Sequence, residues 1–126
     1  MLRVNLWLLV AAINGGLAVA VGAFAAHGLQ GRLDAHALQV FETGARYQMY
    51  HALAIAVAAY TIRDAAAGAA ATAAGFFLAG ILLFSGSLYL LSLTGAKAFA
   101  FVTPVGGVCF LIGWGALALA AIRLKT

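Results

Sequence analysis

From Val4 to Ala26 the chain runs without a single charged residue, and that run decides the solvent in which it folds. At ~1.5 Å per helical residue the stretch covers about 34 Å, enough to cross a hydrocarbon core of ~30 Å. Ala23-Phe24-Ala25 behind Arg3 also fits a signal-peptide cleavage pattern, but the run exceeds the ~7–15 apolar residues of an ordinary signal sequence. Three further apolar stretches follow, at about 45–62, 69–93 and 98–122. Lipid gives the backbone no hydrogen-bond partner, so such stretches must be helical. Of the 126 residues, 66% are apolar and 8% charged, against roughly 45–50% and 25% in soluble domains, too few polar side chains to coat a water-soluble globule. The expectation is an all-α, integral membrane four-helix bundle, one transmembrane domain over residues 1–126 with no soluble catalytic domain.

The second stretch is the least apolar. Asp34 is placed as the N-cap of a helix that enters it, with Leu33, Ala37, Val40 and Phe41 at amphipathic spacing. That segment is expected to lie at the membrane interface between helices 1 and 2. A short turn at Thr94-Gly95-Ala96-Lys97 follows the third stretch. The fourth has two possible starts: Thr103 as N-cap with Pro104 in the first turn, where proline has no N–H to lose, or near Ala98 with a kink at Pro104. Four crossings put both termini on one side. Arg3, Arg63, Arg123 and Lys125 then oppose Arg32, Lys97 and interfacial Arg46, which favours cytoplasmic termini. Trp7 and Tyr60, and at the other side Tyr47 and Tyr89, fit aromatic belts.

In lipid, helices associate through small residues and a few hydrogen bonds. Ala11, Gly15, Ala18, Gly22 and Ala25 form one stripe on the first helix, and Gly106 and Gly113 lie two turns apart on the fourth; both read as packing surfaces. Asn14 falls near the middle of the first stretch, where an unpaired amide is costly, so it must face another helix. Ser85, Tyr89 and Ser92 share a face that offers partners, although serines also bond their own helix backbone.

The residues that demand an explanation are His27 and the run Phe41-Glu42-Thr43-Gly44-Ala45-Arg46-Tyr47-Gln48-Met49-Tyr50-His51. Glu42 with Arg46, and Tyr47 with His51, stand four apart and can pair on a helix. Polar groups surround this helix turn after turn, which implies protein or water on most sides. Arg46, ~11 Å from the midplane, can snorkel, whereas His51 at ~4 Å cannot and must be satisfied inside. A buried ionisable residue is by default a functional candidate; a neutral histidine bonded to Tyr47 or a neighbouring helix is the plainer alternative. Helix alternation gathers His27, Glu42, Arg46, Tyr47, Tyr89, Lys97 and Thr103, with Gln48 and Tyr50 nearby, toward the loop side. That cluster reads either as a pocket for a lipid headgroup or other anion through Arg46 and Lys97, or as a structural Glu42–Arg46 pair.

Several activities lack their residues. No basic stripe for nucleic acid is present, and His27, His36, His51 and Glu42 match no closed metal-ligand spacing. Neither a nucleophile elbow, a phosphate loop nor a catalytic carboxylate pair appears, and no cofactor is implied. Cys109 is the lone cysteine, in an apolar run, and reads as an inert thiol.

Four segments carry a resemblance: Gly22-Ala23-Phe24-Ala25-Ala26-His27-Gly28-Leu29, the run from Phe41 to Leu53, Phe84-Ser85-Gly86-Ser87-Leu88-Tyr89, and Thr103-Pro104-Val105-Gly106-Gly107. On these the chain resembles the domain of unknown function 423 family, the YgdD-like small inner-membrane proteins and transmembrane protein 256 homologues. Ala25 stands where many members are expected to have a glycine. The resemblance implies a four-helix inner-membrane protein and no reaction. The small-residue stripes combined with the absent catalytic motifs give the reading of a non-enzymatic packing, accessory or lipid-contacting protein that forms a homo-oligomer or joins a larger membrane complex, which would also bury Asn14, Glu42 and His51. The alternative is a small oligomeric channel or transporter with a His51, Tyr47 and Glu42 water path.

Overall fold

The computed structural model describes residues 5–125; Arg3, and Val4 at the expected start of the first stretch, lie outside them. The described residues form four helices: α1 (Leu6–Leu29), α2 (Ala35–Tyr60), α3 (Asp64–Thr94) and α4 (Lys97–Arg123). Three of them, α1, α3 and α4, are long and apolar enough to cross a membrane. With 26 residues α2 has the length, but Gln39, Glu42, Thr43, Arg46, Gln48 and His51 hold its hydropathy below the others.

The ends of the helices follow local chemistry. Asn5 caps α1, its side chain accepting from the Leu8 amide at 3.0 Å, and Asp34 caps α2 through the Ala37 amide at 2.7 Å. The amphipathic segment after Asp34 runs straight into the second stretch, as the first turns of one continuous α2 from Ala35, because no proline or glycine interrupts it before Gly44. Gly95 ends α3 with φ +69°, its amide donating to the Leu91 carbonyl at 2.8 Å, a left-handed cap that glycine adopts without Cβ strain. In α4 a tight 3-10 turn over Lys97–Phe101 precedes regular helix from Thr103, with Pro104 in its first turn. Thr103 is not the side-chain cap expected of it; its hydroxyl turns instead to the Phe99 carbonyl and to Ser87.

Each helix packs mainly on the next one in sequence. Alanine makes this close: Ala54, Ala58, Ala73 and Ala74 are buried with Ile55, Phe77, Ile81 and Phe110 in the largest core cluster, which Ala11 of α1 joins. Two wider turns interrupt the helical regularity, at Ala25–Leu29 in α1 and at Ile81–Ser85 in α3. Such π-bulges insert a residue and rotate the following face. Below the second of these, Tyr89 and Ser92 are carried on the C-terminal part of α3.

Candidate functional site

Gln48 is the hub of the polar interior. Its side chain is buried on α2; Nε2 donates to Asn14 Oδ1 at 3.1 Å, and Oε1 accepts from the Tyr89 hydroxyl at 2.6 Å. Asn14 uses its own amide nitrogen on the Val10 carbonyl of α1 at 3.0 Å. One chain of side-chain hydrogen bonds thus joins α1, α2 and α3. The midhelix amide does face a partner, but that partner is Gln48 rather than the serine face of α3. Tyr89 points its hydroxyl inward, so it is not the interfacial belt residue that its position implied.

One turn on, His51 is 4% exposed. Its Nδ1 lies 2.7 Å from the Tyr47 carbonyl, and its Nε2 lies 3.2 Å from the indole Nε1 of Trp114. A carbonyl only accepts and an indole N–H only donates. Both contacts are satisfied together by one form, the neutral ring carrying its proton on Nδ1. The imidazole stacks on Phe110 with centroids 3.5 Å apart and planes 7° from parallel, while Phe77 and Trp114 stand at steeper angles beside it.

Glycines let α3 and α4 approach closely enough to enclose this ring. A Cβ on Gly80 would stand 2.2 Å from the Phe110 ring, and one on Gly113 would stand 2.6 Å from Phe77, so each helix receives the other's phenylalanine in a glycine notch. At Gly106 the neighbour is backbone, with Phe84 N at 2.3 Å. A little further along, Ser87 and Thr103 share a hydrogen bond of 2.6 Å between α3 and α4. Ser92 bonds its own helix at the Tyr89 carbonyl, 3.0 Å away. Among the described residues Ser85 Oγ is the buried side-chain polar atom with no partner.

The polar run is divided by the fold. Gln48 and His51 turn inward, whereas Arg46, Tyr47 and Tyr50 are on the exposed side and Glu42 is half-buried. No ion pair joins Glu42 to Arg46 among the described residues, because α2 directs Arg46 outward. Tyr47 and Tyr50, expected to be enclosed, instead line an open aromatic groove of about 570 Å³ with His51, Phe84, Phe110 and Trp114. His27, on the last turn of α1, is exposed. Lys97 lines a second groove with Arg32 and His36, of which Arg46 is no part. Among the described residues no three of His, Cys, Asp and Glu come close enough to hold a metal ion.

The small-residue stripe of α1 also divides. Ala11, Ala18 and Ala25 are buried, but at Gly15 and Gly22 an added Cβ would meet nothing within 4 Å. Both are half-buried, and Gly15 borders a groove between α1 and α2 with Met49 and Ala52 rather than a close contact. Gly106 and Gly113 do pack. Sequence reasoning missed Trp114 as the partner of His51 and the Gly80 notch. The signal for Trp114 was its place in the middle of an apolar stretch, away from the interface that tryptophan usually prefers.

A family model described as protein of unknown function (DUF423) matches residues 21–107. The UPF0382 membrane protein YwdK of Bacillus subtilis is 44% identical over 120 residues, covering 94% of this chain and 98% of its own. A UPF0382 membrane protein of Haemophilus influenzae is 45% identical over 123 residues, 97% of this chain and 98% of the relative. The UPF0382 inner membrane protein YgdD of Escherichia coli K12 is 44% identical over 118 residues, 94% of this chain and 90% of the relative. No solved structure matches. The resemblance drawn from the four sequence segments holds over nearly the whole chain.

Proposed function

The chain belongs to the DUF423 family, and from that premise we propose that it is a non-enzymatic scaffold of the inner membrane, a four-helix bundle that self-associates or joins a larger membrane complex through the open face of α1. The observation that carries this reading is the set Gly15, Gly16 and Gly22, where added Cβ atoms meet nothing. In lipid a smooth glycine face is a surface on which a second helix packs closely. Beside it runs a groove of about 370 Å³ between α1 and α2, lined by Gly15, Gly16, Val19, Met49 and Leu53 among others. The polar residues supply no comparable drive toward a second copy, since Asn14, Gln48 and His51 find partners within one chain.

α2 crosses in this reading because it packs along both α1 and α3 and its inward polar groups are bonded rather than offered to lipid. Both termini then share a side with Arg63, Arg123 and Lys125, the side taken as cytoplasmic. The open groove that His51 lines offers no free imidazole nitrogen to a water path, since both ring nitrogens are engaged and Phe110 stacks on the ring face.

Disulfide trapping in native membranes tests the scaffold reading. In a Cys109→Ala background, Gly16→Cys is expected to give a crosslinked dimer on oxidation, while Leu82→Cys, on an exposed face of α3, is not. Monomer from both would refute self-association through α1. Equal crosslinking from both would mark random collision and refute it as well.

A further inference from the structure

At the end of the molecule where α1 turns into α2, a groove of about 620 Å³ opens between the start of α2 and the junction of α3 with α4. Arg32, His36 and Lys97 line it and are exposed. Neither Arg32 nor Lys97 has a carboxylate within ion-pair distance among the described residues. The acid beside them, Asp34, already holds the Ala37 amide through Oδ1 at 2.7 Å. Deeper in, the walls become apolar at Val40, Leu91 and Ala100. From Asp34 to Val40 is about 9 Å along the helix axis.

We propose that this groove is a site for an anionic glycerophospholipid. The phosphate meets the guanidinium of Arg32 and the ammonium of Lys97, His36 adds a ring N–H donor, and an acyl chain lies along Val40 and Leu91. Two unpaired cations above an apolar slot match both ends of such a molecule, whereas a soluble anion would use the charges alone. The site replaces the Arg46 and Lys97 pairing expected from sequence, since Arg46 lies outside the groove. It rests on the chain's place in the membrane, and not on self-association.

Native mass spectrometry of the delipidated full-length protein, titrated with dioleoyl phosphatidylglycerol or dioleoyl phosphatidylcholine, tests it. Each interfacial cation is worth about fivefold in affinity for anionic lipid, so phosphatidylglycerol is expected to bind roughly 25-fold tighter than zwitterionic phosphatidylcholine. R32Q/K97Q removes the preference, R32K/K97R keeps it, and free glycerol 3-phosphate does not displace the bound lipid. Val40→Trp, which fills the slot and leaves both charges, weakens phosphatidylglycerol binding too. Equal binding of the two lipids overturns the proposal, as does a preference that survives R32Q/K97Q or is lost equally in R63Q/R123Q. Displacement by glycerol 3-phosphate would make it a soluble-anion site instead, and unchanged binding in Val40→Trp would remove the acyl slot. Loss of the Gly16→Cys crosslink leaves this titration unaltered, so failure of the scaffold reading and failure of the lipid site are separately visible.

Discussion

Replacing Gln48 by leucine tests the interior network directly. The substitution nearly preserves volume but removes a donor at 3.1 Å from Asn14 and an acceptor at 2.6 Å from Tyr89. Interhelical hydrogen bonds in membrane proteins average about 0.6 kcal/mol and reach about 1.7. Two lost bonds, together with the stranded Asn14 Oδ1 and Tyr89 hydroxyl, sum to about 2–3 kcal/mol. That is a fall of roughly 30- to 150-fold in the folding equilibrium constant. The same physics makes the effect non-additive. In the triple variant Asn14→Leu, Gln48→Leu, Tyr89→Phe, no partner is left unsatisfied, and stability returns to within about 1 kcal/mol of the starting protein. Equilibrium unfolding in mixed detergent micelles, followed by helical circular dichroism, measures both numbers. A single variant within about 0.5 kcal/mol of wild type, or a triple variant no better than the single, would refute the hub role of Gln48.

His51→Ala removes the ring stacked on Phe110 and frees the Trp114 N–H, so a loss of about 3 kcal/mol is expected. Trp114 emission, read in a Trp7→Phe background, should shift in that variant; an unchanged spectrum would count against the His51–Trp114 bond. Gly106→Ala must push α4 off the α3 backbone at Phe84 and is expected to cost upward of about 3 kcal/mol, whereas Gly16→Ala meets nothing within its own chain and should leave the stability of the monomer unchanged or raise it by up to about 1 kcal/mol through helix propensity. The same unfolding assay ranks the two. Gly95→Ala forces a Cβ into a cap at φ +69° and is expected to cost about 1 kcal/mol.

Much of the helical order was legible because it rests on one-dimensional signals: apolar run length, the Asp34 cap, the glycine after Thr94. What stayed hidden depends on rotation about helix axes. Gly15 and Gly106 both look like seam residues in sequence, yet only Gly106 meets a neighbour, since nothing in a periodic small-residue stripe tells which part of it the next helix covers. Glu42 and Arg46 have the right spacing to pair but do not, because spacing sets proximity of Cβ atoms and not the direction of two long side chains on a mostly exposed face. The loop-side groove was legible in part: the sequence points to Lys97 as a pocket cation, but with Arg46 in the place that Arg32 takes. Arg32 and Lys97 are 65 positions apart, and only the return of α3 beside the start of α2 brings them to one rim.

The inward half of α2 also explains how so polar a helix can sit among apolar ones. A carbonyl and an indole fix His51 as a neutral ring, and an asparagine and a tyrosine fix Gln48, so four hydrogen bonds satisfy both inward side chains. Each of those partners comes from a different helix except the Tyr47 carbonyl, which makes the bonds report on register: sliding α1 or α4 by a single turn against α2 would break Asn14–Gln48 or Trp114–His51 at a stroke. The glycine notches at Gly80, Gly106 and Gly113 fix the register of α3 against α4 by shape, and the polar bonds extend that to α1 and α2. The polar chain therefore contributes specificity of helix pairing more than bulk stability, and through it the glycines of α1 and the basic groove at the loop end stand in fixed positions relative to one another.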